Sequence, residues 1–179
     1  MPTKPKEINQ LNVVSFETNF QRMPATDFFC QRVNIPSLAL GNAILPTQFS
    51  SVPVEGDTLV FENLTIGFYV NEDLSNYREI FDWMIAIGFP DEFPQFNLNN
   101  DAISSPSAYG ALKSDMNVII QTNKTNPNYN ITFKDAFPTS LGNIPLDATA
   151  TDMQPIVVDA TFAYTGSFTI AKIGFPHAR

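Results

Sequence analysis

Alternation of apolar and polar residues along much of the chain is the feature that most constrains its fold. Tyr129, Ile131 and Phe133 alternate with polar neighbours, which is the period of a strand buried on one face. Similar patterns recur in residues 11–20, 27–34, 58–71, 115–122, 155–165 and 168–173. This pattern predicts a mainly β fold, a two-sheet sandwich or partly closed barrel.

Three of these segments carry more specific expectations. Residues 27–34 follow residues 11–20 after a loop at Pro24, and we predict that the two segments pair as a hairpin. Residues 58–71 form the clearest strand, in which Gly67 indicates a weak point or a bulge. We expect its buried face to hold Val60, Leu64, Ile66, Phe68 and Val70.

A single helix is predicted between residues 71 and 90. Asn71 or Asp73 can cap its start, and Gly88 and Pro90 end it. Trp83 lies beside the apolar stripe, and the core is a better place for it than a subunit interface. The stripe has helical spacing and consists of Leu74, Tyr77, Ile80, Phe81, Met84 and Ile85.

A corner is predicted after the strand at 129–134. Pro138 fixes its own φ and disfavours helix at Phe137, while Gly142 can adopt a positive φ. We therefore expect the chain to turn within residues 137–142.

The remaining segments complete a single domain over residues 1–179. We expect a flexible arm at 1–10, a long loop at 89–113 and a C-terminal extension at 166–179. Prolines confine residues 44–58 to a sheet edge or a loop, and nothing nearby in the sequence buries their apolar side chains. This excursion is predicted to project and to bury them against another subunit, with contacts from Leu45, Phe49, Val52 and Val54.

Charge excludes one large class of function. The chain has 179 residues and a formal net charge of −8, and between Val33 and Leu112 its only basic residue is Arg78. A protein that reads nucleic-acid sequence needs a basic stripe instead. A solvated acidic face that aids solubility is the simpler explanation of this charge, and it stays open here.

Residues that could carry chemistry are scarce. Cys30 is the only cysteine and is expected to be a small buried hydrophobe, and the only histidine, His177, lies in the C-terminal tail. No catalytic, phosphate-binding or metal-binding motif occurs. No apolar run approaches the roughly 20 residues that span a bilayer. We expect no enzyme activity, no cofactor, no metal and no membrane binding, in a chain that is intracellular when made.

At three places the chain resembles the tail tube proteins of T4-like contractile-tailed phages, which belong to the tail tube and Hcp-like superfamily. The first is Gly56-Asp57-Thr58 with the strand that follows, the second is Arg78 to Trp83 on the helix, and the third is residues 131–147. The third segment carries the signature residues Lys134, Phe137, Pro138, Thr139, Gly142 and Asp147. In element order the resemblance extends from Asn12 to Tyr164.

The resemblance implies a structural virion protein of the phage tail, assembled in the host cytoplasm. Subunits would form hexameric rings whose inner sheets join into one barrel, and rings would stack into a tube through which DNA passes. Implied partners are further copies of the chain, the tail sheath protein, the baseplate tube initiator and the tube terminator. Residues 44–58 would contact the neighbouring ring, and Glu55, Asp57, Glu62 and Asp159 are candidates for charges that line the lumen and repel phosphate.

Three alternatives stay open from the residues alone. A baseplate tube initiator would share the fold but make one ring, and a tube protein of a related injection system would serve a different particle. A carbohydrate-binding β-sandwich would instead need exposed aromatic side chains on one sheet face.

Overall fold

The computed structural model describes residues 10–12, 14–88, 112–149, 151–152 and 154–173. Within these residues the protein is mainly β, with one long helix and one short helix. In chain order the elements are β1 (Phe16–Phe20), α1 (Pro24–Phe28), β2 (Cys30–Asn34), β3 (Leu38–Pro46), β4 (Ser51–Phe61), β5 (Leu64–Tyr69), α2 (Ser75–Gly88), β6 (Ser114–Gln121), β7 (Pro127–Leu141), β8 (Val157–Ala163) and β9 (Thr169–Lys172).

Six strands form one continuous antiparallel path in the order β1-β6-β7-β8-β5-β2, and β9 pairs with β7 beside it. The first half of β7 pairs with β6 and β9, and its second half pairs with β8. Strands β3 and β4 form a separate two-stranded sheet. The predicted two-sheet fold with a packed helix is therefore confirmed, and within the described residues the path does not close.

The core lies between the two halves of this path and under α2. Alternate residues of β5, β6, β7 and β8 point into it, because successive side chains of a strand face opposite sides. Its largest fully buried side chains are Phe68, Phe133, Phe162, Met23, Leu64, Ile66, Ile80, Met116, Ile131, Val118 and Val158.

The predicted corner at 137–142 is wrong, because β7 continues through Leu141. The change of direction lies earlier, at Asp135, which has a φ of 52°. Aspartate tolerates this left-handed conformation better than most residues, and the Asp135 N–H donates to Asp115 Oδ1 at 3.0 Å. Ala136 still pairs with Ser114 of β6, and from Phe137 onward β7 takes β8 as its partner.

Gly142 is needed for a close approach and not for a turn. It is not among the described residues that have a positive φ. Its N–H donates to the carbonyl oxygen of Asp159 at 2.8 Å, and a Cβ at this position would lie 2.9 Å from the same oxygen. A side chain here would push β8 away from the end of β7.

The predicted strand over 58–71 is interrupted at Glu62 and Asn63, which separate β4 from β5. Leu64, Ile66 and Phe68 are fully buried as expected, whereas Val60 is 54% exposed because it belongs to the separate β3–β4 sheet. A bulge is present beside Gly67, but it lies in the partner strand β2, between Cys30 and Arg32.

The predicted hairpin between residues 11–20 and 27–34 is also wrong. Strand β1 pairs with β6 and β2 pairs with β5, and the short helix α1 lies between β1 and β2 in the chain. The Glu79 carboxylate on α2 accepts hydrogen bonds from the N–H groups of Ala25 and Thr26, at 3.3 and 3.1 Å. These bonds satisfy free N–H groups at the start of α1 and hold it against α2.

Helix α2 buries a stripe that differs from the prediction. Its buried residues are Asn76, Ile80, Trp83 and Ala86, whereas Phe81 is 48% exposed. Leu74 precedes the helix and is 45% exposed. The core position of Trp83 is confirmed, and its Nε1 donates to the carbonyl oxygen of Leu112 at 2.9 Å.

Asn76 occupies an apolar-stripe position because its amide joins α2 to the preceding strand. It donates to the carbonyl oxygen of Tyr69 and accepts from the N–H groups of Asn71 and Tyr77. A buried amide with several partners costs little in stability, although sequence periodicity favours an apolar residue here.

The arm at 1–9, the loop at 89–111 and His177 lie outside the described residues. Part of the predicted C-terminal extension is described, and it contains β9, which pairs with β7 from Tyr129 to Thr132.

Gly142→Ala tests the close approach between β7 and β8. We expect the free energy of unfolding to fall by about 1–3 kcal/mol, because the added methyl overpacks the contact with Asp159. Gly88→Ala is the matched control, since a Cβ at Gly88 has open space, and it should leave stability unchanged or raise it by up to about 1 kcal/mol. Urea unfolding measures both, and equal effects would contradict the assignment.

Candidate assembly surfaces

The β3–β4 hairpin is the most unusual surface of the molecule. Every residue of β3 is exposed, and all of β4 except Gly56 and Phe61 is exposed. Leu45 pairs with Val52 and Ala43 pairs with Val54, so these four side chains share one face of the ribbon. The predicted excursion at 44–58 is thus a regular strand pair, longer than expected at both ends.

Phe49 stands at the tip of this hairpin and is 95% exposed. The turn beneath it is held by Thr47, whose N–H donates to the carbonyl oxygen of Ser50 at 2.9 Å. The Thr47 hydroxyl accepts from the Ser50 N–H at 3.1 Å. The tip therefore presents an aromatic ring from a closed turn.

A bulge divides the hairpin midway. Pairing shifts between Leu40 and Asn42, where Gly41 faces Gly56. A Cβ at Gly56 would lie 2.8 Å from the carbonyl carbon of Gly41, so the two backbones approach as only glycine allows. Bulges increase the twist of a ribbon, so the two halves of this hairpin point in different directions.

An exposed ribbon of this kind has little support within the subunit. An isolated two-stranded hairpin is marginally stable in water, because it has no sheet face to bury. This hairpin also exposes many large apolar side chains, and such patches on soluble proteins mark interaction sites. Those that are at least 37% exposed are Leu38, Leu40, Ile44, Leu45, Phe49, Val52, Val54, Leu59 and Val60.

The four candidate lumen acids do not belong to one structural element. Glu55 and Asp57 lie on β4, and Glu62 follows the end of that strand. Asp159 lies on β8, where its Oδ1 accepts a hydrogen bond from Arg32 Nη2 at 2.6 Å. Among the four candidates, Asp159 is therefore distinguished by a paired charge.

The ion pair between Arg32 and Asp159 crosses an intervening strand. Arg32 and Asp159 both pair with Gly67 of β5, one from each side. A Cβ at Gly67 would lie 2.8 Å from Asp159 Oδ1, so the glycine leaves room for the two side chains to meet. Sequence reasoning missed this pair, and a glycine inside a clear strand was the only signal of it.

The signature residues of segment 131–147 hold β7 to its neighbours. The carbonyl oxygen of Lys134 accepts from Thr165, and the Thr139 hydroxyl donates to the carbonyl oxygen of Thr161 at 3.0 Å. Phe137 and Pro138 pair with Ala163 and Phe162 on β8. These contacts indicate that the residues have a structural role in the fold.

Asp147 lies beyond β7 in an exposed turn. Its Oδ1 accepts from both the hydroxyl and the N–H of Thr149, at 2.6 and 2.8 Å. These hydrogen bonds favour the carboxylate and lower the pKa of Asp147. The last signature residue thus organises a local turn.

Cys30 is partly buried at the start of β2. Burial, the largest cause, raises the pKa of its thiol to about 11, and the charge of Asp27 acts in the same direction. A thiol with this pKa is almost entirely protonated at neutral pH and is a weak nucleophile.

Among the described residues, no three His, Cys, Asp or Glu side chains are grouped as metal ligands are. None of the helices in that part of the chain is both long and apolar enough to cross a membrane.

The family of the chain is shown by its sequence. A family profile described as "Phage tail tube protein" matches residues 2–169, which is nearly the whole chain. The chain therefore belongs to the phage tail tube protein family. No curated protein matches it by sequence.

Solved structures support the same fold at low sequence identity. One similar chain comes from the sheath-tube complex of an extracellular contractile injection system, PVC, in the extended state. It has 15% identity to this chain and a TM-score of 0.55, and the match covers 93% of this chain and 94% of that chain. A chain of the tube terminating cap of the anti-feeding prophage has 14% identity and a TM-score of 0.55. The match covers 96% of this chain and 97% of that chain. A chain of the PVC sheath/tube terminator, in the extended state, has 16% identity to this chain and a TM-score of 0.56. The match covers 91% of this chain and 97% of that chain.

Proposed function

We propose that this protein is a structural subunit whose copies form hexameric rings that stack into a tail tube. The exposed β3–β4 hairpin carries this proposal, because a surface so apolar and so poorly supported within the subunit is explained by burial in an assembly. Membership in a tail tube family indicates a structural role and not an enzymatic one. We take residues 1–179 as a single tail-tube domain.

The face that holds Leu45, Val52 and Val54, with Phe49 at the tip, is the proposed contact between subunits of neighbouring rings. Leu45 is 56% exposed, Val52 is 44% exposed and Val54 is 37% exposed, while Phe49 is 95% exposed. Burial of apolar surface contributes about 25 cal/mol per Å², so several such side chains in one contact give a substantial driving force.

The proposed partners follow from the class of particle. Sheath, baseplate and cap appear in the descriptions of particles that contain similar chains. We propose that this tube binds a sheath protein, starts on a baseplate initiator and ends at a terminator, in a virion tail assembled in the host cytoplasm. A tube of an extracellular contractile injection system is the second candidate, because the structural relatives above belong to such particles.

In the phage tail, DNA would pass through the tube, and the acidic residues are suited to a lumen wall. Glu55 and Asp57 lie two residues apart on β4, and neither is among the residues that form an ion pair in the described part of the chain. Negative charge repels phosphate, so DNA would slide without being retained. Glu62 could add to this charge, whereas Asp159 contributes less because Arg32 offsets it.

The first test is the assembly of the purified protein. Negative-stain electron microscopy is expected to show hollow rings or tubes with six-fold views, and light scattering is expected to give multiples of the 19.9 kDa subunit mass. Where the protein stays monomeric alone, co-expression with a baseplate initiator should start the tube. Failure to assemble under both conditions would contradict the proposal.

Phe49→Glu tests the role of the hairpin tip. The new charge cannot be buried in an apolar contact, so stacking should be lost while single subunits remain folded. Circular dichroism checks the fold, and micrographs check the tubes. Leu146→Glu is the control, because Leu146 is 84% exposed and lies outside the hairpin. Normal tubes from Phe49→Glu would show that the tip is not in the contact.

Reversal of Glu55 and Asp57 to lysine tests the lumen assignment. Tubes of the parent protein should not retain linear duplex DNA on sedimentation, whereas tubes of the double variant should retain it at low salt. Retention should weaken by at least about tenfold between roughly 50 and 200 mM salt, as counterion release requires. The control, Glu72→Lys with Asp152→Lys, makes the same charge change at two other exposed positions. Equal retention by both variants would remove Glu55 and Asp57 from the lumen.

A further inference from the structure

The two ends of the strand path come together at a groove. Strand β1 begins the path and β2 ends it, and in the described part of the chain the two are not paired with each other. Both nevertheless line one cavity of about 540 Å³. We call this the seam groove, and its lining is Val14, Phe16, Glu17, Thr18, Asp27, Phe28, Cys30 and Gln31.

The seam groove exposes apolar side chains on a firm support. Val14 is 78% exposed and Phe28 is 82% exposed. Phe28 lies at the end of α1, which Glu79 holds against α2, and its ring packs edge-on against Phe29 at a centroid distance of 5.0 Å. An exposed aromatic residue held in this way is typical of the anchors that dominate protein interfaces.

A polar group inside the seam groove lacks a partner. The Asp27 Oδ1 atom is enclosed and accepts no hydrogen bond from any described residue. Buried acceptors are rarely left unsatisfied, because each one costs stability. The Asp27 side chain is therefore a costly element in one wall of the seam groove.

The walls of the groove also have free backbone groups. Within the described residues β1 pairs only with β6, and β2 pairs only with β5. Each strand therefore has one edge whose N–H and C=O groups lack a strand partner, and an added strand can pair with such an edge.

We infer that the seam groove of one subunit receives the β3–β4 hairpin of a second copy, with Phe49 against Phe28 and Val14. This inference rests on the proposed function and names the surface that the hairpin contacts. The hairpin matches the groove, because its apolar side chains can pack on those of the groove and its free strand edges can pair with the free edges of β1 and β2.

Charge favours the hairpin over other parts of the chain. The seam groove contains the acids Glu17 and Asp27, and the chain has a net charge of −8, so most of its acidic surface would be repelled. Residues 35–54 contain no charged side chain. A second cavity, of about 660 Å³, is lined by Lys124 and Lys172 and suits an acidic segment instead.

The inferred contact joins two different surfaces, so it leaves a free hairpin and a free groove on each pair of subunits. Contacts of this kind either close into rings or continue as open stacks. A contact between neighbouring rings, as proposed above, is of the second kind and continues along the tube.

A disulfide test locates the contact directly. In a Cys30→Ser background, which removes the native thiol from the groove, Phe28→Cys is combined with Phe49→Cys. Oxidised assemblies of this variant should give a ladder of covalent multimers on non-reducing gels. The controls are each cysteine alone and the pair Phe49→Cys with Leu146→Cys, and their yield of multimers should be at least about tenfold lower.

A charge variant provides the second readout. Phe28→Asp should raise the concentration needed for assembly at least tenfold, while Leu146→Asp leaves it unchanged; circular dichroism and thermal melting confirm that both are folded. The groove assignment is wrong, and the tube function stands, if Phe28→Asp assembles normally and the cysteines at positions 28 and 49 form no disulfide between subunits. If the parent protein never assembles, even with an initiator, both proposals fail.

Discussion

The passage of one strand, β7, through both halves of the sheet path is the constraint on which the rest of the structure depends. Strand β7 has 15 residues, more than a typical strand, and it changes partner near Asp135. Ile131 and Phe133 before this point and Ala136 just after it are all buried in the same core. Because the backbone is continuous, the two halves of the sheet path cannot move apart without breaking that core.

The same passage explains why the ends of the path remain separate. Pairing proceeds outward from β7 through β6 to β1 on one side, and through β8 and β5 to β2 on the other. Both end strands arrive near α1, whose position is set by Glu79 and by the Thr26 hydroxyl, which donates to the carbonyl oxygen of Asn76 at 3.0 Å. Helix α1 therefore lies beside the open seam between β1 and β2.

What sequence could predict was local. Alternation identified most of the strands and their buried faces, because a side chain's direction in a strand depends only on its position. Pairing partners could not be found in this way, and the hairpin between residues 11–20 and 27–34 failed because contacts between α1 and α2 span about 50 residues. The need for glycine at position 142 likewise comes from Asp159, which lies on another strand.

The candidate site likewise has features that the sequence predicts and features that it does not. The exposure of Leu45, Phe49, Val52 and Val54 was predictable, since prolines confine their segment to a sheet edge or a loop. The pairing of Asp159 with Arg32 and the unsatisfied Asp27 oxygen could not be predicted, because each depends on residues that only folding brings together. Sequence thus identifies the apolar surface that we propose to be buried, while the fold is needed to find the surface that we propose to cover it.

A subunit built in this way must also survive before it assembles. An uncharged, apolar hairpin with free edges is a risk for aggregation, and natural proteins limit that risk with charges beside the exposed strands. Glu55 and Asp57 directly follow the uncharged segment 35–54, and the net charge of −8 makes free subunits repel one another. The acidic excess is therefore suited to keeping a free subunit in solution, and in the proposed tube it would leave the uncharged hairpin as the surface that another copy can approach at least cost.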